Sequence, residues 1–456
     1  MRRASTAGNE LESQRNRSGY YHGRRDMDQR TRLLEIIKKR EKESIEFLQR
    51  MISYDTSVID EGAYGNEGEA QKWLSRVFED MGCEADTFEP DNDKIKHHSD
   101  FTPGHNYEGR FNVAGKIKGS GGGRSLLFDG HIDTVPAGNE RLWKHHPLSG
   151  DLEDGKIYGR GACDMKAGLA AAIMAVDSIR KSGIRLKGDL TLISVVDEER
   201  GEGNGCLAYL DRGYRADAAI FPEGTNMKRI VFGSQGLLLG KINVRGKAVH
   251  STIKWQGVSA IEKMIRIIDE LDRIEKEWSF TIREPQLGPA MISVGRIHGG
   301  TEVNCIPEEC EVYFNVIYLP VQSDAQGRGT NVKKEIEERI SKACEGDAWL
   351  AEHPAEISWL NEITPSMIDR DHVLVKTLKS LAEASLVEGV EVGWGELPSM
   401  ARIMNDVAQM PMIQFGPGSI EQAHTIDEWV SVDQYLAAVK ILALFILEWC
   451  GVSENH

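Results

Sequence analysis

The stretch LLFDGHIDTVPAG, residues 126–138, decides the fold of this chain. It opens like a buried strand, and it places His131 and Asp133 two positions apart just where the apolar run stops. Such strands belong to the interior of parallel sheets, whose ligands gather beyond the carboxyl ends of the strands.

The runs DLTLISVV (189–196), DAAIFP (217–222) and MPMIQFG (410–416) have the same character. KAGLAAAIMAVDSIRKSG (166–183) and VDQYLAAVKILALFILEW (432–449) read as helices that cover them. This alternation predicts an α/β fold, a mainly parallel sheet with helices on both faces. Upstream, RLLEIIKKREKESIEFLQRMI (32–52) reads as one helix and EAQKWLSRVFEDMG (69–82) as another, both apolar at helical spacing. GSGGG (119–123) precedes a strand and is a turn, because a phosphate cradle joins a strand to a helix.

Between residues 234 and 361 the order changes to strand, helix, two strands, helix, strand, through LLLGKINVRG (237–246), VSAIEKMIRIIDELDRIEKEW (258–278), AMISVGRIHGG (290–300), CEVYFNVIYLP (310–320), NVKKEIEERISKACEG (331–346) and AEISWL (355–360). That order predicts a ferredoxin-like α+β domain inserted into the larger one. The expected division is a disordered extension over 1–27, the larger domain over 28–233 and 362–456, and the insertion over 234–361. Residues 1–27 are Arg-rich and aperiodic, and Glu10, Glu12 and Asp26 argue against a transit peptide.

At 456 residues the chain exceeds one compact core, in keeping with two domains. Its 55 Lys and Arg against 71 Asp and Glu give a net charge of −16, a field that repels polyanions and argues against nucleic acid or anionic membrane as a main partner. The 7 cysteines are scattered without a CxxC pair and read as reduced thiols of a cytoplasmic protein. The apolar run ILALFILEW (441–449) is about half the length of a membrane-spanning helix.

The predicted strand ends carry chemistry. SLLFDGH delivers His131, TLISVVDEE delivers Asp197, Glu198 and Glu199, AAIFPE delivers Glu223, and the loop after MIQFG reaches His424. Asp164 stands in YGRGACDMKAG (158–168), before the covering helix. Carboxylates converging on one rim repel one another unless cations neutralise them, so this set implies bound metal. Imidazole and carboxylate without thiolate suit zinc, cobalt or manganese. Five ligands exceed one catalytic zinc, and a carboxylate shared between two ions divides them. Positions i and i+2 of an extended chain point the same way, so the Asp133 side chain is expected to accept the second ring N–H of His131. In the Glu198–Glu199 pair one carboxylate is expected to bind metal while the other faces a water as general base.

With GHIDTVP, YGRGACDMKAG, DEERG, FPEG, GKAVHS, GGTEVNCIP and AHTIDEWV in this order, the chain resembles the zinc-dependent aminoacylase, carboxypeptidase and deacylase family that includes acetylornithine deacetylase and succinyl-diaminopimelate desuccinylase. The resemblance runs from about residue 30 to 450. It implies two divalent ions bridged by Asp164, one held by His131 and Glu223 and the other by Glu199 and His424, with Glu198 as general base. It further implies that the insertion is a lid and dimerisation domain, that His250 of one subunit serves the site of the other, and that Asn304 contacts substrate.

Two positions depart from the family pattern. Relatives carry Asp-x-Arg in the last-but-one strand of the insertion, where this chain reads NVIYLP (315–320) with Ile317 at the Arg position. Relatives also carry an Asp where SMAR (399–402) has Met400, while Arg402 is retained as a substrate contact. A grip on a substrate carboxylate, worth about 2 kcal/mol, is thereby missing at Ile317. The activity implied is hydrolysis of a small acyl group from an N-acyl amino acid or related amine, a small-molecule substrate. The alternatives are a formyl-aminopyrimidine deformylase, a dipeptidase or carboxypeptidase, and a non-catalytic metal-binding relative.

Overall fold

The computed structural model describes residues 29–59, 64–98, 100–201, 203–282, 288–385, 389–395 and 401–453. The expected extension over 1–27 and Met400 lie outside them. The chain divides into two compact units, the first formed by the chain up to Ile230 with Arg370–Val392 and everything from Met410, the second by Val231–Asp369 with Gly393–Gln409.

After a helical segment over 29–39 the first unit has helices α1 (Glu41–Ile52) and α2 (Gly68–Asp80), then strands β1 (Glu84–Phe88), β2 (Asn112–Ile117) and β3 (Leu126–His131). Helix α3 (Ala167–Lys181), strand β4 (Leu190–Val195), helix α4 (Asn204–Asp211) and strand β5 (Ala219–Gly224) follow. The second unit contributes β6 (Gly236–Arg245), β7 (Val249–His250), α5 (Ala260–Thr281), β8 (Met291–Gly299), β9 (Cys305–Ile306), β10 (Glu309–Tyr318), α6 (Thr330–Glu345) and β11 (Glu356–Ile363). The chain then returns to the first unit with α7 (Val373–Ser385), β12 (Met412–Gly416) and α8 (Val432–Cys450).

In the first unit the strands lie in the order β12-β5-β3-β4-β2-β1. The pairs β12–β5, β5–β3 and β3–β4 are parallel, and β4–β2 and β2–β1 are antiparallel. Every residue of β3 and of β4 is buried, the mainly apolar strands carrying the polar Asp129, His131, Thr191 and Ser194 inside with them. Alternate side chains of β3 meet helices on opposite faces. A Cβ on Gly130 would touch Met165 and Leu169, whereas Asp129 accepts hydrogen bonds from Tyr209 Oη at 2.7 Å and Cys206 Sγ at 3.1 Å, on α4.

Helix α3 is buried almost throughout and packs on α8 and on β5. Its small residues let it approach the sheet closely, and a Cβ on Gly168 would stand 1.7 Å from the Pro222 carbonyl oxygen. The helix expected over 32–52 is broken at Arg40, which caps α1. Arg40 is buried and reaches Ser178 Oγ on α3 at 2.8 Å, Glu43, and the Asp177 carboxylate. The turn is what aims that guanidinium inward.

The second unit has the order β6-α5-β8-β10-α6-β11 around a four-stranded antiparallel sheet, β8-β10-β6-β11. Leu238, Ile242 and Val244 of β6, Phe314 and Val316 of β10, Ile267 and Leu271 of α5, and Ile336 and Ile340 of α6 close its core. Ser259 starts α5 by accepting the Glu262 N–H. Ile317 alternates with the buried Val316 and Tyr318, so it stands half-exposed on the sheet face opposite that core. The short β7–β9 ladder pairs His250 with Cys305.

All 7 cysteines are free thiols. Among the described residues no helix is long and apolar enough to cross a membrane.

Candidate metal centre

The centre lies in the first unit, at the carboxyl ends of β3, β4 and β5. His131 closes β3 and is buried; Glu198 and Glu199 open a one-turn helix after β4, and Glu223 stands near the end of β5. Asp164 comes from the loop before α3, and His424 from the loop after β12 with a left-handed φ of 62°. Such a backbone in a non-glycine residue is held by its surroundings and is commonest at functional sites.

Nε2 of His131 lies 3.1 Å from Asp164 Oδ1, 3.4 Å from Glu223 Oε2 and 3.9 Å from Glu198 Oε2. Nε2 of His424 lies 3.2 Å from Asp164 Oδ2 and 3.0 Å from Glu199 Oε2. Asp164 thus turns one oxygen toward each imidazole, and the donors fall into two groups that share it. His131, Asp164 and Glu199 each offer an atom within 4.8 Å of the others.

The electrostatics test whether this set fits a cation. Burial, with repulsion from Glu199, Asp133 and Asp164, pushes Glu198 well above the carboxylate range. Burial and Asp164 push Glu223 up to about 7. Hydrogen bonds donated to Asp164 and Glu199 raise His424 to about 10. Burial opposes the charge on His131, yet its contacts with Asp164 and Glu223 hold its pKa well above the usual value. Burial also works against ionisation of Asp164, but the two imidazoles keep its carboxyl well below the usual range. Protons therefore neutralise a cluster of buried carboxylates here, the task divalent cations perform in a set of nitrogen and oxygen donors. The residues fit such ions.

Two expectations about neighbouring aspartates need correction. The His131 ring uses Nδ1 to donate to the Asp133 main-chain oxygen at 2.9 Å, while the nearest Asp133 carboxylate oxygen is 3.7 Å away. The Asp133 carboxylate accepts instead the N–H groups of Glu198 (3.1 Å) and Glu199 (3.0 Å). It is the turn after β4, folding back over β3, that brings those donors to it. Asp197 does not join the donor set either. Fully buried, with φ of 67°, it accepts from Arg110 Nη2 at 3.0 Å and Tyr107 Oη at 2.7 Å, beside His105 Nδ1 at 2.7 Å. The Arg110 guanidinium also binds Glu67 at 2.6 Å. A buried carboxylate needs such partners, and three of them come from one loop, 105–110.

His250 and Asn304 are neighbours in the second unit, where Ser251 N–H donates to the Asn304 carbonyl at 2.9 Å. Both are exposed. Nδ1 of His250 accepts the Thr252 N–H at 3.3 Å, which leaves the ring proton on Nε2. Arg402, also in the second unit, is half-buried just before the turn Ile403–Val407. Sequence reasoning missed Glu428, a fully buried carboxylate in the loop that carries His424. Its signals were its place in the motif AHTIDEWV and an acidic residue set against the apolar pair Trp429–Val430.

A largely parallel sheet whose strand ends gather two imidazoles and four carboxylates defines a metallohydrolase centre. The chain belongs to Peptidase family M20/M25/M40, whose model matches residues 127–448. It is 30% identical over 450 residues to the N-formyl-4-amino-5-aminomethyl-2-methylpyrimidine deformylase of Halalkalibacterium halodurans, covering 92% of this chain and 98% of that one. It is 30% identical to the enzyme of the same name from Bacillus subtilis, covering 92% and 97%. Among solved structures it resembles a dinuclear metal-binding peptidase of the M20 family from Bacillus subtilis, with a TM-score of 0.62 and 16% identity over 90% of this chain and 99% of that one. The chain is a metal-binding hydrolase that acts on an amide bond.

Proposed function

We propose that this enzyme removes a formyl or similarly small acyl group from the aminomethyl arm of an uncharged heteroaromatic compound, with an N-formylated aminopyrimidine as its substrate class. The observation that carries the substrate is Ile317, an apolar side chain on the open sheet face of the second unit. Amino-acid deacylases of the family carry an arginine there to hold a carboxylate. The two deformylases that match over nearly their whole length support the same reading. N-acyl amino acids, the other substrate class, need the cation that Ile317 lacks.

In this reading His131 and Glu223 would hold one divalent ion and Glu199 and His424 a second, with Asp164 available to both. Zinc is the ion proposed, with cobalt or manganese able to use the same donors. When bound, the ions supply positive charge to the carboxylate cluster and Lewis acidity toward the amide oxygen. Glu198 stands 3.9 Å from His131 Nε2, farther out than Asp164 and Glu223, beside the donor set rather than within it. There it takes a proton from the attacking water and passes it to the departing amine nitrogen, so that the free amine and formic acid leave, the acid giving up its proton to solvent as formate. Asp133 holds Glu198 and Glu199 in register through their N–H groups.

The second unit acts as lid and dimerisation domain. Strand β8 ends the sheet order, and residues 293–299 along it are exposed, with Val294 and Ile297 (49%) among them; an uncovered edge strand of this kind invites pairing with a second copy. His250, with its proton on Nε2, serves as donor to the developing oxyanion in the partner's site. Asn304 and Arg402 contact the substrate.

Hydrolysis of a panel containing an N-formyl aminomethylpyrimidine, N-acetyl and N-succinyl amino acids and unblocked dipeptides tests this reading. The formylpyrimidine is expected to have the highest kcat/KM. Activity confined to acyl amino acids or to dipeptides overturns it.

A further inference from the structure

We propose that Glu428 is a positioning residue that sets the placement of Asp164, and through it the affinity of both metal positions; this rests on the metal reading of the centre. The Glu428 carboxylate is fully buried. It accepts the backbone N–H groups of Gly161 (3.1 Å), Cys163 (2.9 Å) and Asp164 (3.3 Å), together with Arg160 Nη1 (2.7 Å). One side chain therefore collects four donors from five consecutive residues, the last being the shared ligand itself.

The chain on either side of Glu428 reinforces the connection. Gly159 N–H donates to the Glu428 carbonyl at 2.9 Å, and Arg160 Nη1 reaches the Thr425 carbonyl at 3.2 Å. His424 precedes that carbonyl by one residue and contacts Asp164 at 3.2 Å. The two loops that supply Asp164 and His424 are thus stitched to each other by Glu428 and Arg160.

A loop this irregular satisfies only part of its own N–H groups: those of Ala162 and Lys166 donate to the Gly159 and Gly161 carbonyls, whereas those of Gly161, Cys163 and Asp164 go to Glu428. Gly161 has φ of 79°, and Asp164 and Met165 leave helical geometry. Without an internal acceptor the loop would turn those groups toward water and carry Asp164 with them. Glutamine in place of Glu428 keeps the volume but substitutes an NH2 for one acceptor oxygen, and that NH2 faces other donors. Aspartate keeps the charge but is shorter by one methylene.

The test uses the full chain stripped of metal. Wild type, Glu428→Gln, Glu428→Asp and Glu153→Gln, the last an exposed carboxylate of the same unit, are checked for folding by circular dichroism. Each is then titrated with Zn2+ and Co2+ against a competing chelator. Wild type is expected to bind two ions, and Glu428→Gln to fold but bind both with affinity lower by ~10–100-fold, the usual effect of losing a group that orients metal ligands. The visible spectrum of its Co2+ form should change, Glu428→Asp should recover part of the loss, and Glu153→Gln should match wild type. A folded Glu428→Gln with wild-type affinity for both ions overturns the assignment. Should that variant not fold, the same comparison on Glu428→Asp decides. Wild type that binds neither ion removes the metal reading itself, a result distinct from any difference among variants.

Discussion

The carboxylate of Asp133 receives the main-chain N–H of Glu198 at 3.1 Å, and its other oxygen receives that of Glu199 at 3.0 Å. One aspartate at the end of a strand thereby fixes the start of the one-turn helix that carries both glutamates. Asp133→Asn leaves a single acceptor oxygen and sets an NH2 against an N–H. We expect kcat to fall by ~10–100-fold with the fold retained, as for other groups that orient a metal site. Steady-state kinetics at saturating metal, beside a circular dichroism spectrum, checks it.

Glu198→Gln should keep both metal content and fold and lose turnover by a factor of ~10² or more, the scale of general-base assistance. Metal analysis and kcat on the same preparation are the measurements. Full activity in the metal-loaded variant assigns the proton transfer to another group.

Asp164 offers one oxygen to each imidazole, so Asp164→Ala should weaken both ions together. In wild type, metal binding must also displace protons, because Glu223 is held protonated up to about 7 by burial and Asp164, and His424 up to about 10 by Asp164 and Glu199. Affinity should therefore rise with pH through neutrality, with protons released on binding. Calorimetric titrations in buffers of different ionisation enthalpy measure that release. A pH-independent affinity would falsify the proton–metal competition.

Ile317→Arg should move specificity toward carboxylate-bearing substrates. A hydrogen bond to a charged group is worth about 1.5–3 kcal/mol, so the kcat/KM ratio of an N-acyl amino acid to the formylpyrimidine should rise by ~10–100-fold. The half-exposed position on β10 leaves room for the longer side chain, and stability should change little. An unchanged ratio means that Ile317 is remote from the substrate.

If His250 acts across a dimer, an inactive Glu198→Gln subunit and an inactive His250→Ala subunit should complement each other. Mixed under conditions of exchange, the heterodimer carries one site with Glu198 and His250 both intact. Regained activity is the expected result. A heterodimer shown to form yet no more active than its parents, or an active wild-type monomer, rules the arrangement out.

Much of the fold was legible because burial leaves a simple trace. Strands covered on both faces read as apolar runs, and His131 marked where one of them met the site. Asp197, Glu198 and Glu199 could not be told apart in the same way. All three are acidic, and what separates Asp197 is Arg110 and Tyr107, about ninety residues earlier in the chain. The Asp133 misreading has a different origin. The i, i+2 rule places two side chains on one side of a strand, but Asp133 lies just past the end of β3, where a carbonyl competes for the ring N–H and the next turn competes for the carboxylate. The break at Arg40 was hidden because helical spacing continues through it.

The missing side chain at Gly168 bears on how the ligands keep their spacing. Since even a methyl group would lie 1.7 Å from the Pro222 carbonyl, the start of α3 and the end of β5 rest backbone against backbone. Asp164 precedes that contact on one segment and Glu223 follows it on the other. The gap between these two ligands is therefore gauged by main-chain atoms, which have no rotamers to change. Thermal motion of side chains elsewhere in the sheet leaves that dimension untouched, whereas a single added carbon at residue 168 would pry the two segments apart at the fulcrum between them.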